Sequence, residues 1–320
     1  MGARRPRWGS LQFYPRNRVE KEIHRVNWSP VSKFVTKDGI LGFIAYKAGM
    51  ATAVVKDNTD ASMTKGKRLF VPVTILEVPN MKVFSVRFYK FGIVIKEVVV
   101  SADKELRKVL KLGKEAKNLD KEIPQGYDDI RLIVYSLANQ TGFKKKPDLI
   151  EIAFNAKDKL EFAKSLIGKE ITPADFKFNL VDMRGVTKGK GLCGPMKRFG
   201  ITKKSHKSEK GVRRPGSLGP WHPHRVIFRV PLAGQVGMFS RVHYNFNLLS
   251  TGKIAEKNIN PASGFKHYGN VKSNYVIIKG SVQGPVKRQV MITPSFRPTR
   301  GQAKRKYEFV ELAWKHNYMI

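Results

Sequence analysis

The sequence predicts a mainly β protein, a small barrel or sandwich, carrying an α/β insertion and long basic extensions. Three observations lead there. Runs rich in Val, Ile and Phe recur between Gly39 and Val100, separated by glycine and proline turn signals. The stretch 101–175 then changes to mixed charges and helix-like spacing. Finally, 61 Lys/Arg face 25 Asp/Glu across 320 residues, a net charge of +36 that is gathered in one-signed blocks.

Taken in order, residues 1–30 form a basic N-terminal extension, because Met1 to Arg18 holds five Arg and no acid. Residues 31–100 supply the first part of the β-barrel. Gly39 to Val55 is too broken by glycine for a helix, and Leu69 to Val78 and Phe84 to Val100 follow as strands. Pro79-Asn80 and Phe91-Gly92 mark their turns. Within the 101–175 insertion, Ser101 is placed to cap a helix reaching about Asn118, with Leu106, Val109 and Leu110 on one face and Gly113 weakening it. Arg131 to Ser136 and Leu149 to Phe154 read as strands. Asn155-Ala-Lys-Asp158 resembles a capping box ahead of a helix carrying Leu160, Ala163 and Ile167, with Gly168 placed to end it.

From Ser101 to Leu180 there are 16 Lys/Arg and 13 Asp/Glu, so this part faces solvent or protein rather than phosphate. Residues 176–183 read as a strand returning to the barrel. Residues 184–224 do not: eight Gly and four Pro leave their apolar side chains scattered, the pattern of a segment that folds against a partner. Residues 225–320 hold the second part of the barrel and a basic C-terminal segment. Strands are expected at Arg225 to Pro231, Tyr275 to Val282, Gln289 to Thr293 and Phe309 to Trp314.

Composition excludes several classes. One cysteine permits no intrachain disulfide and no cysteine-based zinc site, which fits a reducing compartment. No apolar run is long enough for a membrane helix. Met1 to Arg7 leads into no apolar region, so no secretory signal is expected, and Pro6 breaks the myristoylation pattern. His206, His222, His224 and His243 invite a metal, but Glu209 is the one nearby carboxylate and the surrounding cations oppose a dication; no metal or cofactor is expected. Gly185 to Gly200 lacks the spacing of a nucleotide-binding loop, since Gly191 follows Lys190 where Ser or Thr is required. Neither His-Glu-x-x-His nor Gly-x-Ser-x-Gly occurs, so no enzyme is expected.

A charge of this size calls for a polyanion, and nucleic acid is the first candidate. In Gly185 to Gly200, Lys188, Lys190, Lys197 and Arg198 are placed to neutralise phosphates, while the glycines let two backbones approach closely. Lys203, Lys204, His206 and Lys207 follow, then Arg213 and Arg214. Trp221 sits among prolines with His222 beside it and Arg225 just beyond. Its ring either stacks on unpaired bases or packs onto the mouth of the barrel. Arg4, Arg5 and Arg7 in the first block, and Lys287, Arg288, Arg297 and Arg300 in the last, complete the candidate RNA-binding set; Met183 to His243 alone holds 14 Lys/Arg and one acid.

At Gly185 to Gly200 the chain resembles the universal L-three family of large-subunit ribosomal proteins. The likeness runs over nearly the whole chain: Arg4-Arg-Pro-Arg7, Ala45-Tyr-Lys-Ala-Gly-Met50, Gly219-Pro-Trp-His-Pro223, Gly264-Phe-Lys-His-Tyr-Gly269 and Lys279-Gly-Ser-Val-Gln-Gly-Pro285 look like its motifs. The insertion and the Trp221 segment look like the archaeal and eukaryotic branch. Gln283 stands where proline is common and is expected to loosen a turn.

The resemblance implies a six-stranded Greek-key barrel of the translation-factor type, with a basic N-terminal extension embedded in rRNA. It further implies a central extension that threads rRNA toward the peptidyl transferase centre with Trp221 at its tip. His206 matches a histidine methylated in some eukaryotic members. The implied role is a structural constituent of the cytoplasmic ribosome that binds the 3′ part of large-subunit rRNA and acts early in assembly. The implied neighbours are proteins of the L-fourteen and L-twenty-four types, with no membrane and no homo-oligomer. Two other classes compete on the residues alone. An rRNA-modifying enzyme would need a cofactor fingerprint, and a DNA-compacting protein would favour a reader helix or basic tails.

Overall fold

Turn residues divide the Val-, Ile- and Phe-rich runs into antiparallel strands that bury alternate or complete faces. The computed structural model describes residues 9–113, 117–176 and 178–313. The strands are β1 (Gly39–Ile40), β2 (Phe43–Asp57), β3 (Arg68–Val78), β4 (Met81–Lys90), β5 (Ile93–Val99), β6 (Asp129–Ser136), β7 (Leu149–Ile152), β8 (Phe154–Asn155), β9 (Leu180–Val186), β10 (Leu192–Cys193), β11 (Gly234–Gln235), β12 (Ser240–Lys253), β13 (Asn274–Lys279), β14 (Gln289–Pro294) and β15 (Tyr307–Ala313). The helices are α1 (Trp28–Phe34), α2 (Lys159–Leu166), α3 (Pro195–Phe199) and α4 (Arg300–Ala303), with short 3₁₀ turns between strands. None of the described helices is long and apolar enough to cross a membrane.

The chain folds as two compact units. The larger consists of Glu22–Gly185 and Arg241–Ile320. Its main sheet runs β14-β9-β12-β13-β3-β2-β15, and β14 also pairs with β2, so the hydrogen-bonded order returns on itself and β15 lies outside the ring. In β2 the register with β3 shifts between Lys47 and Gly49. A Cβ at Gly49 would lie 2.8 Å from the ring of Phe265, so the absent side chain lets that aromatic close over the strand. A second sheet, β5-β4-β6-β7, carries the insertion. The core is continuous through β2, β4, β6 and α1: Trp28 is buried and its Nε1 donates to the carbonyl of Glu151 (3.1 Å).

Two buried carboxylates of this unit are paired as the low dielectric demands. The Tyr46 hydroxyl donates to Asp148 (2.5 Å), which also accepts from Lys144 Nζ (2.6 Å). Fully buried Glu77 accepts from the Tyr268 hydroxyl, from the backbone N–H groups of Lys272 and Ser273 (2.8 Å each) and from the Ser273 hydroxyl (2.9 Å). A charge network ties the insertion to β4. Glu151 joins Arg87 (3.0 Å) to Arg131 (2.9 Å), and Asp129 joins Arg131 (3.2 Å) to Lys159 (2.5 Å).

Several local expectations are corrected. No α-helix spans 101–118 among the described residues; Leu106–Lys108 is one 3₁₀ turn. Leu106 is drawn into a small cluster with Phe84, Ile133 and Tyr135, while Asp103 accepts from the Tyr135 hydroxyl. Tertiary burial of one leucine thus overrides a weak helical stripe. The cap of α2 is Asp158, whose carboxylate accepts from Leu160 N (2.9 Å) and Glu161 N (3.2 Å). Asn155 instead ends β8, with its Nδ2 bonded to the carbonyls of Ser32 and Val35. The strand expected from Phe176 begins at Leu180. Arg225 to Pro231 is a series of turns, and the strand character lies in β12, whose Ser, Asn, Thr and Gly residues masked it. Gln283 ties its turn rather than loosening it, because Nε2 donates to the carbonyls of Met183 (2.8 Å) and Arg241 (3.2 Å).

Candidate nucleic-acid interface

The smaller unit consists of Met1–Lys21 and Val186–Ser240. A narrow ribbon forms its stem. Thr187 N donates to Phe239 O (2.9 Å), Lys190 N to Val236 O (2.9 Å) and Val236 N to Gly191 O (3.0 Å), and β10 pairs with β11. Gly237 makes this approach possible: its φ is +75°, and a Cβ there would sit 2.0 Å from the carbonyl oxygen of Lys188. Val19 N adds a bond to Met238 O (2.8 Å), so the N-terminal segment lies against the ribbon.

Beyond the stem, Pro195 starts α3 where its missing N–H costs nothing, and Gly200 stops it with φ +70°. Arg198 on that helix turns back to the carbonyls of Gln235 (3.3 Å) and Leu232 (3.2 Å), leaving it half-buried. Lys188, Lys190 and Lys197 are exposed.

From Ile201 onward the backbone makes few bonds to itself, one being Lys204 N to Val212 O (3.0 Å). Lys203, Lys204, His206, Lys207, Arg213, Arg214, His222 and Arg225 are all exposed. Lys203, Lys204, Arg214 and Arg229 border an open groove of about 750 Å³. Trp221 is 78 % exposed, touching His224 edge-on at 4.8 Å between ring centroids.

The remaining candidates belong to other segments of the chain. Arg4, Arg5 and Arg7 fall outside the described residues. In the larger unit, Lys287, Arg297 and Arg300 are exposed, whereas Arg288 pairs with Glu22 (2.7 Å). Arg229, exposed at the same groove, was absent from the sequence-based set. The signal that marks it is an arginine at each end of the apolar triplet Val226-Ile-Phe228.

The electrostatics separate the two units. The smaller holds 18 Lys/Arg and two carboxylates, Glu20 and Glu209. Every ion pair among the described residues lies in the larger unit. Cations that pair with no carboxylate among the described residues, on exposed glycine-containing loops, are placed to receive phosphates. His222 and His224 approach to 4.5 Å between ring centroids, yet no group of three or more His, Cys, Asp or Glu able to hold a metal occurs among the described residues.

A carboxylate-poor, glycine-rich extension on a β scaffold is the surface of a polyanion-binding protein. The comparisons with known proteins make that class particular. The family model described as ribosomal protein L3 matches residues 1–94 and 94–317. The large ribosomal subunit protein uL3 of Methanocaldococcus jannaschii is 38 % identical over 312 residues, 92 % of each chain. That of Archaeoglobus fulgidus is 39 % identical over 312 residues, 92 % of this chain and 93 % of its own. That of Methanococcus vannielii is 39 % identical over 316 residues, 93 % of each. The chain belongs to the ribosomal protein L3 family, in its archaeal form. It is a structural protein of the cytoplasmic ribosome rather than an enzyme.

Proposed function

We propose that this chain is a structural constituent of the large ribosomal subunit that anchors rRNA through its smaller unit. On this reading the closed strand order of the larger unit is the family's six-stranded Greek-key barrel, and the smaller unit is the central extension together with the N-terminal one. The extension packs among rRNA segments of the 3′ part and supports the region near the peptidyl transferase centre, with exposed Trp221 at its tip. Its attachment helps to organise the subunit early in assembly, with proteins of the L-fourteen and L-twenty-four types as neighbours of the larger unit. Binding is driven by counterion release and by close approach of glycine backbone to the sugar-phosphate chain, so shape is recognised more than sequence.

One observation carries the reading. Within the insertion Lys117, Arg131, Lys144, Lys159 and Lys164 are paired with protein carboxylates, while among the described residues the cations of the smaller unit are paired with none. Sedimentation of native lysate in high salt tests it. The chain is expected to stay with the large subunit through a salt wash. Release as free protein, or co-migration with DNA, overturns the proposal.

A further inference from the structure

Between the N-terminal segment and the far side of the smaller unit lies a second groove, of about 610 Å³, within the roughly 300–1,000 Å³ of small-ligand sites. Its apolar surface comes from Tyr14, Val226, Ile227 and Phe228, and its charge from Arg16 and Arg198. Tyr14 and Phe228 meet edge to face, with centroids 5.3 Å apart and planes at 73°, so one ring stands as a wall beside the other. Phe228 is nevertheless 63 % exposed. Arg16 lies over the Tyr14 ring (4.8 Å) and the Phe199 ring (4.5 Å), which holds a guanidinium at the rim. Arg229 lies over Phe228 (5.6 Å). None of the described residues that line the groove is acidic.

We infer that this groove receives an unstacked nucleobase of rRNA, held against the Phe228 ring with its phosphate reached by Arg16 and Arg229. The site is separate from Trp221, and it rests on the rRNA-binding reading above. Two features select this occupant. An exposed aromatic face accepts any base, because every base presents a π-surface. Several guanidinium groups with no carboxylate beside them match a phosphodiester and would leave a protein segment with uncompensated charge unless it were strongly acidic. A single-stranded or bulged nucleotide joins both properties in one ligand.

The test places a benzophenone photocrosslinker at position 228 by a Phe228→p-benzoylphenylalanine substitution and irradiates salt-washed large subunits. Crosslinking to one rRNA nucleotide or a short cluster is expected. In subunits carrying Phe228→Ser, the same nucleotide should become several-fold more reactive toward base-modifying reagents, with other rRNA positions unchanged. A crosslink to protein overturns the inference in favour of a protein occupant, and no crosslink from incorporated chain overturns it outright. If the benzophenone variant does not enter subunits, short-wave ultraviolet irradiation of wild-type subunits decides. A nucleotide adduct on the peptide bearing Tyr14 or Phe228 supports the groove, and adducts confined to other peptides of the chain refute it. Loss of the wild-type chain from salt-washed subunits would instead refute the rRNA reading itself.

Discussion

Replacing Tyr268 by Phe removes one oxygen from the interior of the larger unit and nothing else of its size. That oxygen donates to Glu77, a carboxylate with no solvent exposure. Burial, and then the charge of Glu77, push the Tyr268 hydroxyl far above its ordinary value, so it stays protonated as a donor. The other carboxylate oxygen of Glu77 keeps three donors, from Lys272 N, Ser273 N and Ser273 Oγ. The Phe ring would still pack against Phe143, whose centroid lies 5.2 Å away, so no ring-sized cavity opens.

The loss is therefore one hydrogen bond to a buried charge, about 2–3 kcal/mol. For a chain of this size that lowers the melting temperature by roughly 3–5 °C. Thermal and urea unfolding of the isolated protein, followed by circular dichroism, measure it. Repeating Tyr268→Phe in a Glu77→Gln background isolates the pair, and most of the loss should disappear there. A loss under about 0.5 kcal/mol, or an equal loss in both backgrounds, would refute the argument that this hydroxyl satisfies a buried carboxylate.

Gly237→Ala should open the stem of the smaller unit, because the added Cβ meets the Lys188 carbonyl at a positive φ, at a cost above about 2 kcal/mol. Amide exchange at Thr187, Lys190 and Val236 should quicken while β2 and β3 keep their protection; unchanged exchange would contradict the ribbon. Hydrogen bonds from Thr59, Thr64 and Ser62 hold the Asp57 carboxyl far below its ordinary value of 3.8. A lowered group stabilises the fold above its unfolded value and loses that contribution as pH falls through the folded one. Asp57→Asn should accordingly cost about 1–2 kcal/mol at neutral pH, with the gap to wild type closing only below about pH 4; a gap that widens in acid would count against the assignment. Trp221→Ala should leave the isolated protein's stability within about 0.5 kcal/mol, since the ring is 78 % exposed, while translation by subunits carrying it is impaired. A large loss of stability would place the ring in a core.

Much of the fold was legible because its signals are local. Val, Ile and Phe runs bounded by Pro79-Asn80 and Phe91-Gly92 gave β3, β4 and β5 nearly to their ends. The strand β12 was not legible. Its buried Phe246 is surrounded by half-exposed and polar residues, so neither alternation nor an apolar run announces it. The 101–118 helix failed for the opposite reason: its stripe is real, but Leu106 is buried against residues some 20 to 30 positions away in sequence. For the candidate site, the one-signed blocks marked Lys203, Lys204 and Arg214 as a cationic surface. Nothing local could show that Arg198 is braced on the carbonyls of Leu232 and Gln235, or that Tyr14 meets Phe228.

By itself, then, the amino-acid sequence determined the class of partner and the family. Charge is a sum over residues, and glycine spacing is a local demand of the backbone, so both survive without coordinates. Only the tertiary structure decided which cations stay unpaired among the described residues. An ion pair depends on a carboxylate arriving within about 4 Å, as Glu151 does between Arg87 and Arg131, and that arrival is set by strand register across the sheet.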